Sequence, residues 1–432
     1  MSHRTTRRIP GGPALAAGLA ALLALATIVA PAPAAGQTNL LELDAGSDSI
    51  ARVRDDGGVL LLGTFGTGIV PMEGVGTRFL WYPGKSALRA GTVEPGQPDR
   101  WDEANIGPYS MGLGRGVQAS GLASVALGWF NVATGDGAVA LGAATTASGQ
   151  TAMSLGGGTI ASGLRTLATG TDTEASGNEA VSIGWRTLAS GHRSFAGGVD
   201  AVAGGEQAFA FGNGAQATGH GSVAFGPGST ASGFRSRALG HDVQATADYA
   251  TGIGHTILAD QPGSLVLADA SRVGTGGYFG TSAPNEMNAL FVGGFTFYAG
   301  VAPLTGCTLP AGSGAWSCTS SRDAKTDFRA ERGDALLRTL RQLPITTWSY
   351  LTEPGTRHMG PVAEEFHAAF GLGGDERTIA ASDLAGVSLR AVQALLERVE
   401  TLESALETER GRSEELAARL KALEARLDRQ ER

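Results

Sequence analysis

Ala123-Ser124-Val125-Ala126-Leu127-Gly128-Trp129-Phe130-Asn131-Val132-Ala133-Thr134-Gly135-Asp136 is one unit of a period that governs the middle of the chain. Cut every 14 residues from Tyr109, the sequence yields eleven such units ending at Pro262. The sixth place is glycine in all eleven, from Gly114 to Gly254, and the thirteenth in nine, giving way only at Ala247 and Gln261. Two glycines half a repeat apart mark two turns, and both are expected at φ > 0. The third and fifth places are mostly apolar, as at Val125 and Leu127, Phe209 and Phe211, or Val223 and Phe225. Alternation of that kind over about five residues reads as a half-buried strand. The eleventh place is alanine throughout, from Ala119 to Ala259, so that surface is held too close for anything larger. One strand-turn-strand-turn coil per repeat predicts a mainly β chain built as a parallel β-solenoid of 14-residue repeats. So narrow an interior needs neighbours to cover it, and trimerisation is the expected source.

Composition agrees with a repeat protein rather than a set of ordinary globules. The 432 residues include 66 glycines and only 6% aromatics, too few bulky side chains for a large core. Residues 1–35 read as a signal peptide: Arg4, Arg7 and Arg8, then an apolar run from Ala14 to Ala30, then Ala32-Pro33-Ala34 before a cut. Losing that segment removes three positive charges and takes the formal net charge from −8 to −11. An acidic exported chain is a poor partner for nucleic acid, and a secreted or cell-surface location follows. No later apolar run approaches the roughly 20 residues of a spanning helix, so no integral membrane anchor is expected.

Residues 36–108 alternate short apolar runs with Gly and Asp turns, such as Val59-Leu60-Leu61-Leu62 and Phe79-Leu80-Trp81-Tyr82, and form an N-terminal β region. Gly84-Lys85-Ser86 is excluded as a phosphate loop because the required upstream glycine is Phe79. Residues 263–319 form a transition region with strands at Ser264–Leu267 and Leu290–Val292. Its Cys307 and Cys318, the two cysteines of the chain, read in an exported protein as a disulfide, with two free thiols as the alternative. They lack histidine companions for a metal site. Within the repeats, His192 and His220 share place fourteen and His241 and His255 place seven. Aligned histidines could bind a metal across a trimer, but turn positions accept polar residues freely, so neither metal nor cofactor is expected.

Beyond the repeats, residues 320–391 read as a small α+β domain: a helix over Asp334–Leu343, a strand over Thr346–Tyr350, and a helix over Val362–Phe370. Asp383 is a candidate cap for the next helix. Over 392–432, Val392, Leu395, Val399, Leu402, Leu406, Glu409, Ser413, Leu416, Leu420, Leu423 and Leu427 fall at alternating spacings of three and four. Nine of these eleven are apolar, which predicts a coiled coil weakened in its middle.

At the head of this domain Ser320 and Lys325 stand five residues apart, and Lys325 is one of only three lysines among 33 basic residues. A lysine amine withdrawn from water can accept a proton where an arginine cannot, and Ser with Lys is a known nucleophile and base pair. Five residues place the two side chains on different faces of a helix or a strand, so a turn or a neighbouring chain must bring them together. Taken alone, the pattern equally suits a polar loop with a solvated lysine.

Two resemblances give these parts a context. The recurring Ser-Val-Ala-Leu-Gly with Ala-Ser-Gly over 109–262 resembles the head repeats of trimeric autotransporter adhesins of the YadA type, which implies a trimeric left-handed parallel β-roll, possible binding of a host or matrix ligand by the head, and no particular ligand. Those adhesins end in a membrane-anchoring barrel, whereas this chain ends in Leu427-Asp428-Arg429-Gln430-Glu431-Arg432. Residues 320 to about 400, with Ser320-Ser321-Arg322-Asp323-Ala324-Lys325, Trp348-Ser349-Tyr350 and His358-Met359-Gly360-Pro361, resemble the endosialidase-type C-terminal intramolecular chaperone, the self-cleaving serine peptidase domain of phage tailspikes and fibres. That resemblance implies Ser320 as nucleophile, Lys325 as base and Thr319–Ser320 as the scissile bond. Arg322, Asp327, His358 and Glu364 are the supporting candidates. The phage pattern carries Arg three residues after the serine; here Asp323 holds that place and Arg322 precedes it. The expected function is an exported homotrimeric fibre or surface protein that assembles from its C-terminal domain and cuts itself once there. The alternatives are a trimer that is not cut, and an adhesin in which the domain only trimerises.

Overall fold

Successive coils of the solenoid touch through bare backbone, and this contact explains most of the sequence pattern. The computed structural model describes residues 39–45, 48–274, 276–300 and 305–430; the leader reading of 1–35 lies outside the described residues. The chain divides into two units, residues up to 297 with 308–317, and residues 298–307 with 318–432.

In the first unit the long strand of each coil pairs in parallel with its equivalent 14 residues on, Val125 with Val139 and Val139 with Met153, in one unbroken register. The short second strand does the same, Val132 with Thr146 and Thr146 with Ile160. Gly142 at place six has φ 126°, and a Cβ there would lie 2.0 Å from the carbonyl oxygen of Gly156. Gly149 at place thirteen would put one 1.9 Å from Gly163 O, yet it is not at positive φ. The expectation that both glycines serve backbone conformation is therefore half corrected. Place thirteen excludes side chains because the next coil is in the way. The left-handed residues that turn the chain are instead places one and eight, positive in every coil and mostly not glycine: Ala123, Thr151 and Arg165 in one column, Phe130, Ala144 and Asp172 in the other.

The bore is lined by places two, four, nine and eleven. Ala126, Ala140 and Ala168 at place four and every place-eleven alanine are fully buried. Where place four is serine, place nine answers with threonine: Ser154 Oγ lies 2.7 Å from Thr159 Oγ1, and Ser182 Oγ 2.8 Å from Thr187 Oγ1. The strand is half-buried as read, but the buried half is alanine and serine. The apolar pair at places three and five faces outward with place seven, forming ladders such as Phe195 on Phe209 (4.9 Å between ring centres) and Phe211 on Phe225 (5.6 Å). Trp129 is 49% and Phe225 50% exposed in the single chain. At place fourteen, Asp136, Asn178 and Asp248 each accept the N–H of the place-fourteen residue one coil back, at 2.9 to 3.0 Å.

Large side chains enter the bore only at its ends. Gly76–Tyr82 and Ala87–Val93 form an antiparallel hairpin whose second strand pairs in parallel with Met111–Arg115 and starts the stack. Arg89, in register with Gly112, is fully buried and among the described residues has no carboxylate partner. Its guanidinium donates to Ser110 O, Ser110 Oγ and Ala119 O at 2.7 to 3.1 Å. Burial pushes its pKa down to about 10. Gly112 is what makes room, since a Cβ there would lie 2.9 Å from Arg89 Cδ. At the other end Gly252 makes room for Val243 and Ile257, where Arg237–Ala245 and Thr251–Ala259 run as continuous strands and place thirteen relaxes to Ala247. Leu265–Ala268 and Met287–Leu290 extend the stack beyond the repeats. Upstream, Asn39–Ala45, Asp48–Arg54 and Val59–Leu61 form an antiparallel sheet. Lys85 of the excluded phosphate-loop pattern donates to the Ile106 carbonyl at 2.8 Å.

Two substitutions separate the two turn chemistries. Gly142→Ala should cost more than about 3 kcal/mol or abolish folding, because backbone rather than a movable side chain opposes the new methyl. Ala144→Gly, at φ 56°, should change stability by no more than about 1 kcal/mol. Chemical denaturation of the two variants checks both.

Candidate active site

The second unit has a small core of Leu343, Phe366 and Val387, with Leu340, Ala369, Phe370 and Ile379 around it. Helix α1 (Gly333–Gln342) packs against helix α3 (Ala381–Gln430), and helix α2 (Ala363–Phe370) completes the core. α1 and α3 meet closely: a Cβ on Gly333 would lie 2.7 Å from that of Ala394. Arg390 of α3 fixes the entry to α1, its Nε donating to Glu331 O at 3.1 Å. α2 stops at Gly371, which takes the left-handed conformation and donates its N–H to His367 O. Asp383 falls in the first turn of α3 rather than at its cap. A two-stranded antiparallel ribbon, Thr346–Trp348 with His358–Gly360, sets Trp348 opposite His358. From Leu395 to Gln430 α3 is exposed, its apolar stripe included, with Leu395 at 51% and Leu406 at 70%.

Ser320 and Lys325 meet through a turn. Ser321 caps a single 3-10 turn over Arg322–Ala324, its Oγ accepting the Asp323 N–H at 3.3 Å. The turn reverses the chain and brings Lys325 Nζ to 2.6 Å from Ser320 Oγ. Both side chains are exposed. The other candidates are engaged elsewhere. Arg322 lies over the Phe328 ring at 4.7 Å, and Asp327 accepts from Arg329 at 2.7 and 3.2 Å. His358 stacks on Trp348 at 4.8 Å with its Nε2 3.5 Å from Glu353, and Glu364 is exposed in the first turn of α2.

Immediately upstream, Cys307 and Cys318 form a disulfide. Thr319 N–H donates to Gly306 O at 2.8 Å, and its hydroxyl exchanges two further contacts with Gly306. Sequence reading passed over Thr319 and Gly306 as holding groups; the signal was available in Gly306-Cys307 and Cys318-Thr319, each beside a paired cysteine. In the repeats, His241 and His255 stack at 4.5 Å with Asp242 3.1 Å from His241. Among the described residues no group of three or more His, Cys, Asp or Glu is placed to hold a metal. Nor, among them, is any helix long and apolar enough to cross a membrane.

A repeat-built parallel β-solenoid followed in sequence by a small helical unit, whose long helix leaves an apolar stripe exposed, suits a fibre- or adhesin-like protein. Comparison with known families agrees part by part. Residues 119–145, 147–173, 175–201 and 203–229 each match the YadA head domain repeat, described as two copies. Residues 320–372 match the family described as chaperone of endosialidase, whose designation is that of a peptidase. The matched segment begins at Ser320. No curated protein matches the chain. The repeats point to a homotrimer, and the two matches together support a trimeric, exported fibre- or adhesin-like protein.

Phe366 is the most deeply buried aromatic of the second unit. Phe366→Ala should destabilise that unit by about 3–5 kcal/mol, read as an early transition in thermal unfolding while the solenoid's β signal persists.

Proposed function

We propose that the C-terminal unit gathers three chains through α3, sets the register in which their solenoids stack, and then severs itself at Thr319–Ser320. The observation that carries this reading is the 2.6 Å contact between Lys325 Nζ and Ser320 Oγ, at the first residue of the chaperone match. In the cut, Ser320 Oγ adds to the Thr319 carbonyl carbon and its proton passes to the Lys325 amine. The tetrahedral carbon collapses with rupture of the Thr319–Ser320 C–N bond, the nitrogen taking up a proton. Thr319 is left as an ester on Ser320 Oγ, and water hydrolyses it to a Thr319 carboxylate and a Ser320 α-amine. A lysine amine acts as base only when shielded from water. Both side chains are exposed in the single chain, so burial by a second copy couples chemistry to assembly.

Register is the reason for such a unit. A slip of 14 residues preserves every place-six glycine and place-eleven alanine, so the coils alone discriminate poorly between alignments. Chains joined at their tails start level. Once the template is removed, the fibre's persistence rests on its unfolding barrier. Both cysteines lie upstream of the cut, so the disulfide does not tether the two products. The freed head is the part available to a host or matrix ligand.

Intact-mass measurement on the expressed chain should find two fragments meeting at Ser320, absent from Ser320→Ala, Lys325→Ala and Lys325→Arg. Full-length wild-type chain alone would support the uncut trimer instead. Replacing Leu402 and Leu406 together by Asp should convert the trimer to monomer by sizing and abolish the cut.

A further inference from the structure

The Thr319–Ser320 peptide is held from both sides by unlike means. Downstream, Lys325 Nζ holds Ser320 Oγ at 2.6 Å. Upstream, Thr319 is bracketed to Gly306 three times: its N–H donates to Gly306 O at 2.8 Å, its hydroxyl donates to the same oxygen at 3.1 Å, and that hydroxyl accepts the Gly306 N–H at 3.2 Å. The disulfide joins the next residue on each strand, Cys307 to Cys318. Cys318 and Thr319 are exposed, so packing does not fix this stretch; the bracket and the disulfide do.

From this juxtaposition we infer that Thr319, Gly306 and the disulfide are positioning groups for the cut, and that oxidation of Cys307 and Cys318 licenses it. The inference rests on the self-cleavage reading above. Attack by Ser320 Oγ on the carbonyl of its own neighbour closes a five-membered ring, so its rate depends on how the Thr319 carbonyl is presented. Misplacement by about 1 Å can cost about 100-fold in such a step. Without the disulfide the Gly306 bracket must close a loop by hydrogen bonds alone and opens more often. Oxidation forms the S–S bond while two thiols give up two protons and two electrons to a disulfide oxidant, such as oxidised glutathione, which becomes two thiols. A chain kept reduced where it is made would stay uncut there and become competent once exported to an oxidising compartment. The cut would then follow export by chemistry rather than by timing alone.

Full-length chain is purified reduced, divided, and incubated with dithiothreitol or with oxidised glutathione, while intact mass follows release of the fragment beginning at Ser320 and sizing follows the trimer. Oxidised chain should be cut at least about tenfold faster than reduced chain at equal trimer content. Cys307→Ser with Cys318→Ser should be slow under both conditions. Thr319→Val should be slowed by about tenfold and Thr319→Ser should restore the rate, a contrast that a merely structural threonine would not give and that decides the matter if the cysteine variant fails to assemble. Equal rates for reduced, oxidised and Thr319→Val chains would overturn the positioning role and leave self-cleavage standing. Absence of any cut in oxidised wild-type trimer would overturn self-cleavage and this inference with it.

Discussion

Bare backbone against bare backbone, one coil on the next, is the contact on which the molecule depends. At Gly142 and Gly149 the space a methyl group would need already holds a carbonyl oxygen of the following coil. The two strands of a coil must then lie close together, which leaves a bore that admits alanine, serine and threonine and little else. Burying an alanine withdraws too little apolar surface to hold a long stack together. Stability is shared instead between the inter-coil hydrogen-bond ladders and the outward rows of Val, Leu and Phe. Those rows stand exposed in the single chain, which agrees with the homotrimer to which the repeats point.

The same uniformity creates the difficulty that the ends resolve. Interior coils are interchangeable, whereas Arg89 fits beside Gly112 and donates to the carbonyl of Leu88 and to carbonyls and a hydroxyl of the first coil. Val243 and Ile257 fit only beside Gly252. These exchanges of volume between place four and its neighbours mark the two ends of the stack within one chain. They say nothing of how three chains align, because each chain carries its own set. Alignment between chains calls for a separate device, and the exposed stripe of α3 is suited to it by length and by composition.

The candidate site follows a different logic from the fold around it. Its two central side chains are brought together by four residues of local chain and one 3-10 turn, without help from the helical core. What packing withholds from this exposed stretch, covalent and hydrogen-bonded attachment supplies upstream, at Cys318 and Thr319. The geometry of the site thus comes from within the chain, and its side chains stay exposed there.

By itself the sequence determined the period, the coil, the place-eleven alanines and the helices near 333–342 and 363–370, because each rests on spacing along the chain; for the two cysteines it left both a disulfide and free thiols open. Tertiary structure decided what spacing cannot encode. The glycines of place thirteen are required by the coil above rather than by their own φ, and the left-handed turns fall at places one and eight, where Arg165 and Phe130 give no signal. The apolar pairs face outward because the bore is already full. Arg322, Asp327 and His358 were plausible neighbours of Lys325 by proximity in sequence or by motif, but each has found its own partner in Phe328, Arg329 or Trp348. Local preferences are written residue by residue; which atoms compete for the same space is settled only when distant segments arrive together.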